Sequence, residues 1–318
     1  MSRIHDALKK ATEERATMPV AEGTAPPKEA VPEPQDWHAN PPARLPDPSA
    51  EKDYFAAPPS YLRFEDLQKH CAHPVWHCDP NVNVFLNQGL SPHAAEQFRT
   101  LRTRLYQCRA NQPLQTVLVT SAAAGEGKTF VTTNLAQAIV HQPDRRALII
   151  DADLRCARLH LPLGAPTAPG LTEYLRGEAD EMAIIQHGQE GNLCFIPGGN
   201  EVTNPSELLS NGRLKKLLDR MRPVFDWVIL DSPPCVPVAD ATIIAALCDA
   251  VILVVRAGST RTDLAQRACQ ELQGRNIVGV VLNALDETSV KVAHYYKAGG
   301  YGYGYGYDPR NSRTTSKN

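Results

Sequence analysis

The run Ser121-Ala-Ala-Ala-Gly-Glu-Gly-Lys-Thr129 follows the apolar segment Val117-Leu-Val-Thr120 and precedes a helical pattern. Strand, glycine loop and helix in that order are the setting that a phosphate-binding loop requires, and this setting carries more weight than the string alone. Gly125 and Gly127 let backbone amides turn toward phosphate oxygens, and the following helix brings its positive end to the same place. Lys128 is expected to reach the β and γ phosphates, and the Thr129 hydroxyl to bind Mg²⁺. The strict GxxxxGK[ST] pattern has glycine where this chain has Ala122, so the loop is of a variant class. The competing reading is a tight glycine turn without a ligand.

Two further segments supply carboxylates. Ile149-Ile-Asp-Ala-Asp-Leu-Arg155 sets Asp151 and Asp153 two residues apart, on one side of an extended segment. Val228-Ile-Leu-Asp-Ser-Pro-Pro234 ends an aliphatic run in Asp231, where an aspartate holds Mg²⁺ directly or through water. Any one of these acids could simply cap a strand end. Together with the phosphate loop they suit a metal and a proton acceptor.

These residues need a scaffold that gathers strand ends. Apolar runs of strand length occur at 116–120, 147–150, 193–196, 227–230, 251–255 and 277–282, with helical patterns at 92–109, 129–141, 205–221, 239–247 and 261–273. Continuous apolar strands separated by helices predict a doubly wound, mostly parallel α/β sheet with helices on both faces, as in P-loop NTPases. Ligands of such sheets bind at the carboxyl ends of the strands.

Taken together, the three segments resemble the variant Walker A, Walker A′ and Walker B boxes of the bacterial tyrosine kinases, the BY-kinase family, with DxDxR and DSPP as the telling strings. That family contains the cytoplasmic autokinases of exopolysaccharide and capsule synthesis systems and is related to the MinD and ParA ATPases. The similarity runs over about residues 91–307. It takes in Glu96, Arg99 and Arg102, which match the family's ExxRxxR oligomerisation motif, and Asn204-Pro-Ser-Glu-Leu-Leu209. The resemblance implies ATP and Mg²⁺ as cofactors, with a nucleotide cradle of Ala124, Gly125, Glu126, Gly127, Lys128, Thr129 and Phe130. It implies Thr129, Asp153 and Asp231 around the metal, and a catalytic set of Lys128, Asp151, Asp153 and Asp231 in which Asp151 accepts the tyrosine proton. Carboxylates around one cation titrate together, so the sequence leaves open which of them takes the proton. Ala124 stands where the family usually has proline, a departure that bears on loop rigidity.

Six of the ten tyrosines, Tyr295, Tyr296, Tyr301, Tyr303, Tyr305 and Tyr307, lie near the carboxyl end, the last four alternating with glycine. Such alternation disfavours a helix or a core strand, and composition alone describes a low-complexity tail. Beside a BY-kinase-like site, the tail resembles that family's autophosphorylated tyrosine cluster.

Bulk properties narrow the classes further. The 318 residues carry a formal charge of −2, so no global positive field is available to hold nucleic acid. Hydrophobic residues make up 42%, enough for a core, whereas 11 of the 26 prolines fall between Thr17 and Ser60, a stretch too poor in large aliphatics to fold. The expected organisation is a short amphipathic helix over 1–16, a proline-rich tether and lead-in over 17–90, a P-loop tyrosine kinase domain over 91–285, and a flexible tyrosine-rich tail over 286–318. The first residues lack the apolar stretch of a secretory signal, and no apolar run approaches the ~18 residues that cross a bilayer. Eight cysteines scattered without a framework fit a reducing cytoplasm. His70, Cys71, His73, His77 and Cys78 are zinc-ligating types but match no closed zinc spacing. The expectation is a cytoplasmic protein, peripheral at the inner face of the cell membrane through a separate adaptor or polysaccharide co-polymerase. It would form a homo-oligomeric ring through the ExxRxxR helix and be opposed by a tyrosine phosphatase. Two other readings compete: a MinD- or ParA-like positioning ATPase, which generally has a second lysine early in the loop that residues 121–126 lack, and an ATP-gated scaffold without tyrosine transfer.

Overall fold

A computed structural model of the chain describes residues 62–86, 92–188 and 191–285. The expected helix over 1–16, the tether up to residue 61 and the tail over 286–318, with all six of its tyrosines, lie outside the described residues.

Seven strands form one sheet: β1 (Thr116–Ser121), β2 (Ala147–Asp151), β3 (Gln186–His187), β4 (Leu193–Ile196), β5 (Trp227–Asp231), β6 (Ala250–Arg256) and β7 (Ile277–Asn283). Their order is β3-β4-β2-β5-β1-β6-β7, parallel throughout except where β3 meets β4. β1 and β2 therefore flank β5, and the register sets Asp151 opposite Asp231. All of β1, β2, β4 and β5 is buried, as expected for central strands rich in Val, Ile and Leu and covered on both faces.

Alternate residues feed two cores. One face carries Val117, Val119, Ile149, Ile229 and Ile252, and the other Leu118, Leu148, Ile150, Leu230 and Leu253. The first is covered by α2 (Pro92–Asn111) and α3 (Lys128–Val140), through Phe98, Leu105, Leu135 and Ile139. The second is covered by α5 (Leu171–Arg176), α7 (Pro205–Ser210), α8 (Arg213–Met221), α9 (Asp240–Ala245) and α10 (Thr262–Glu271). Short helices α1 (Phe64–His70), α4 (His160–Leu163) and α6 (Glu181–Ile184) complete the described fold.

Two sequence expectations change. The single helix expected over 205–221 is two, because Gly212 takes a left-handed backbone (φ 81°) and the Asn211 side chain accepts from Arg213 N to start α8 afresh. Residues 62–86, assigned to the lead-in, pack on the domain: Phe64 and Leu67 enter one core and Trp76 the other, edge-on to Phe195 at 6.2 Å. Ala72 bridges Gln186 of β3, and Asn134 of α3 grips this segment through Val84 N and Val82 O. No helix among the described residues is long and apolar enough to cross a membrane.

Candidate active site

The phosphate loop leaves β1 at the carboxyl edge of the sheet. Gly125 and Gly127 both have left-handed backbone, with φ of 79° and 95°. A Cβ on Gly127 would stand 2.0 Å from Asn283 Nδ2 and displace that side chain, while the left-handed backbone itself favours glycine. The next strands pin the loop. Arg256 Nη1 donates to Gly125 O at 3.0 Å, Asn283 Nδ2 donates to Glu126 O at 2.9 Å, and the Thr260 hydroxyl donates to the Glu126 carboxylate. The other carboxylate oxygen of this buried Glu126 accepts from Ala123 N at 2.9 Å. Rigidity that a proline at Ala124 would bring is thus replaced by bonds from β6, β7 and the turn after β6. Phe130 packs edge-on against Phe98 at 5.6 Å, which leaves its backbone as the part available to a ligand.

The acids gather where the topology brings β2 and β5 together. The Thr129 hydroxyl donates to Asp231 Oδ2 at 2.6 Å, and Asp231 Oδ1 is buried with no hydrogen-bond partner among the described residues. Burial pushes the Asp231 carboxyl up to about 7, against the pull of the Thr129 hydroxyl and the Lys128 cation. Asp151 is fully buried; its two oxygens accept from Leu159 N at 2.8 Å and Asp153 N at 3.3 Å. Burial and the neighbouring Asp231 charge raise its carboxyl well above the usual range. Asp153 is half-buried, accepts from Cys156 N at 3.0 Å, and is raised by burial while Lys128 draws it down. Lys128 is thus the cation that faces two of the three acids.

A donorless buried carboxylate oxygen beside a threonine hydroxyl suits a hard divalent cation, because the donor set is all oxygen. Thr129, Asp231 and Asp153 fit that requirement. The histidines and cysteines of 70–78 are organised differently: His70 and His73 bond to the carbonyls of Asp66 and Gln68, and no group of three or more His, Cys, Asp or Glu among the described residues is arranged to hold a metal.

Sequence reasoning missed one constellation. Arg155 Nε and Nη2 bond the two oxygens of Asp240 at 2.7 and 3.1 Å, and the Ser206 hydroxyl donates to Asp240 Oδ1 at 2.5 Å. This ties the DxDxR turn to the starts of α7 and α9 around a fully buried carboxylate. The ExxRxxR residues do not share one free face. Glu96 and Arg99 pair with each other on the exposed side of α2, at 62% and 45% side-chain exposure. Arg102 instead donates to Ala138 O near the end of α3 at 2.5 Å.

A mostly parallel sheet with a phosphate loop after β1 and carboxylates at the ends of β2 and β5 defines a P-loop nucleotide-binding protein. Residues 117–297 match the CobQ/CobB/MinD/ParA nucleotide binding domain family. The chain is 34% identical over 211 residues to the tyrosine-protein kinase ptk of Acinetobacter johnsonii, an alignment that covers 66% of this chain and 29% of ptk. It is 35% identical over 211 residues to the tyrosine-protein kinase CpsD of Streptococcus agalactiae, covering 65% of this chain and 89% of CpsD. The solved kinase domain of the Escherichia coli tyrosine kinase ETK superposes with a TM-score of 0.59 at 34% identity, over 67% of this chain and 80% of that domain. The chain belongs to the CobQ/CobB/MinD/ParA nucleotide-binding family and, within it, to the bacterial tyrosine-protein kinases. It spans under a third of the length of ptk and most of CpsD.

Proposed function

We propose that the chain is an ATP-dependent protein-tyrosine autokinase that phosphorylates its own carboxyl-terminal tyrosines, Tyr295, Tyr296, Tyr301, Tyr303, Tyr305 and Tyr307, and so regulates polymerisation or export of an exopolysaccharide. The observation that carries this reading is the unpartnered Asp231 oxygen beside Thr129, at the mouth of a pinned phosphate loop, in a chain whose relatives are tyrosine kinases. Bound MgATP would supply the transferable phosphoryl group and a divalent charge to neutralise it.

The chain's own residues have separable tasks. The backbone of Ala124 to Phe130 cradles phosphates, and Lys128 neutralises charge that grows on them. Thr129, Asp153 and Asp231 hold the metal. Asp151 has the raised proton affinity of a general base but lies enclosed with both oxygens engaged, whereas the half-buried Asp153 has raised affinity and some access. Asp151 therefore serves as the acceptor once the turn after β2 opens, while Asp153 stays in the metal shell. Arg155, held by Asp240 and Ser206, sets the position of that turn.

In the cell, this reading makes the protein cytoplasmic and peripheral at the membrane through a separate adaptor. It is reset by a phosphatase and assembled as a ring through Glu96 and Arg99, with Arg102 bracing α2 against α3. Purified full chain incubated with labelled ATP and Mg²⁺ is expected to yield phosphotyrosine that maps by mass spectrometry to residues 295–307. ATP hydrolysis without phosphotyrosine would make it a positioning ATPase, and nucleotide binding with neither product a scaffold.

A further inference from the structure

The outer edge of β7 pairs with nothing among the described residues. This strand is also the most open of the longer ones. Val280 and Leu282, two residues apart and so on one face, are 59% and 52% exposed, and Leu285 just beyond is 42% exposed. An apolar, unpaired edge is a template for another strand, and folded proteins normally cover it. The chain continues directly from this strand. In the residues that follow, Tyr301-Gly-Tyr-Gly-Tyr-Gly-Tyr307 alternates with a period of two, which in an extended segment gathers four tyrosines on one face. Their spacing equals that of Val280 and Leu282.

We propose that the unphosphorylated Tyr301–Tyr307 segment adds to the outer edge of its own β7 as a further strand, with its tyrosines over Val280 and Leu282. Main-chain bonds along the edge give the affinity, and the aromatic face against the apolar pair gives the specificity. Only residues 284–300 separate the segment from the end of β7, and a connection of that length sets an effective concentration in the ~mM range, above what a second copy offers in dilute solution. The repeat is degenerate by steps of two residues, so its register is loose and its docking reversible. A phosphate adds roughly −1.5 to −2 of charge to each tyrosine and cannot lie over an apolar pair without losing hydration, so phosphorylation frees the segment and bares the edge. The location is close to the chemistry, since Asn283 of the same strand holds Glu126 of the phosphate loop. The release step rests on the autokinase reading above; the docking does not.

Hydrogen exchange on the full, phosphatase-treated, nucleotide-free chain tests the docking. Peptides over 301–307 are expected to exchange about tenfold or more slowly than an unstructured reference. In a full-length variant with Tyr301, Tyr303, Tyr305 and Tyr307 all changed to Ser, the amides of 277–283 are expected to exchange about tenfold faster than in the wild type. Val280→Lys, at an exposed position, should deprotect the tyrosine segment while leaving the melting temperature unchanged. Reference-rate exchange of 301–307 in the wild type, or β7 exchange indifferent to the tyrosine changes, overturns the proposal. Protection that rises with protein concentration overturns its intramolecular form and assigns the strand to a second copy. After ATP and Mg²⁺ are added, protection is expected to vanish. If it persists in protein shown by mass to be phosphorylated, the release step fails alone; if no phosphotyrosine forms, the autokinase reading fails and the docking result stands.

Discussion

The two ends of the sheet treat their acids in opposite ways. At the amino end, Asp249 accepts from Gln115 N, Thr116 N and the Thr116 hydroxyl at 2.8–2.9 Å, and from both terminal nitrogens of Arg222 at 2.9 and 3.0 Å. Burial alone would raise its carboxyl, but the Arg222 guanidinium and the neighbouring donors outweigh burial and hold it below the usual range. At the carboxyl end, Asp151 and Asp231 sit opposite each other with fewer donors than oxygens can use, and both are raised. One end is finished by the protein itself. The other is left incomplete, as the proposed cation and phosphate group would require.

The largest effect expected from this contrast is on chemistry. Lys128→Ala removes the cation that faces two raised acids, and the initial rate of phosphotyrosine formation should fall by about 10²–10³ or more while the melting temperature holds. Wild-type rates in the folded variant would remove Lys128 from the site.

Next in size is stability at the finished end. Asp249→Asn strips the charge from a partly buried pair and should cost about 1–2 kcal/mol in a denaturant titration at pH 7. Because the folded carboxyl lies below its ordinary value, the wild type's advantage exists above the carboxylate range and disappears as pH falls through it. An equal loss at pH 3.5 and 7 would mean that packing, not charge, explains the site.

Asp231→Asn should act with the opposite sign in the absence of ligands. The native carboxyl sits at about 7 against an ordinary value of 3.8, so the folded state binds the extra proton and stability falls as pH rises between those values. The variant should therefore melt higher than the wild type at pH 8, by about 2–4 °C for each kcal/mol recovered, and the gain should shrink toward pH 4. Its Mg²⁺-dependent nucleotide affinity should drop at the same time. A variant that melts lower at pH 8 would erase the distinction between the two ends.

Smaller effects sharpen the picture. Thr260→Ala removes one donor to Glu126, worth about 1 kcal/mol, and should raise the KM for ATP several-fold with little change in kcat and a melting point lower by about 2–4 °C. Glu96→Gln breaks an exposed pair and should shift monomer stability by no more than about 0.5 kcal/mol, yet shorten any ring seen by light scattering.

Much of this was legible in the sequence, for identifiable reasons. The central strands show because burial on both faces demands unbroken apolar runs, and the expected 193–196 coincides with β4. The phosphate loop and the acids show because each lies beside its own strand. β7 reads as equally apolar, yet three of its seven residues are exposed and none is buried, since composition says what could be covered and only the number of neighbours says what is. Asp240 was not legible: an aspartate opening a helical pattern looks like a cap, and its partner Arg155 is 85 residues away. Thr260 and Asn283 lie 134 and 157 residues from Glu126, and no local period marks them. The helix over 64–70 was hidden by its neighbours, whose histidines and prolines suggest a loop, while its apolar side is only Phe64 and Leu67.

The strand order also governs when this protein first becomes able to hold a ligand. β1 and β2 never touch; the place between them belongs to β5, whose final residue closes onto Thr129. During synthesis the phosphate loop and the first two acids emerge long before Asp231, and at roughly 5–20 residues per second they wait several seconds with a gap in the middle. A nascent chain halted in that interval carries the phosphate loop and two of the three acids but not the strand that joins them. The ribosome thus delivers the strand that unites the site only after both of its flanking strands have already been made.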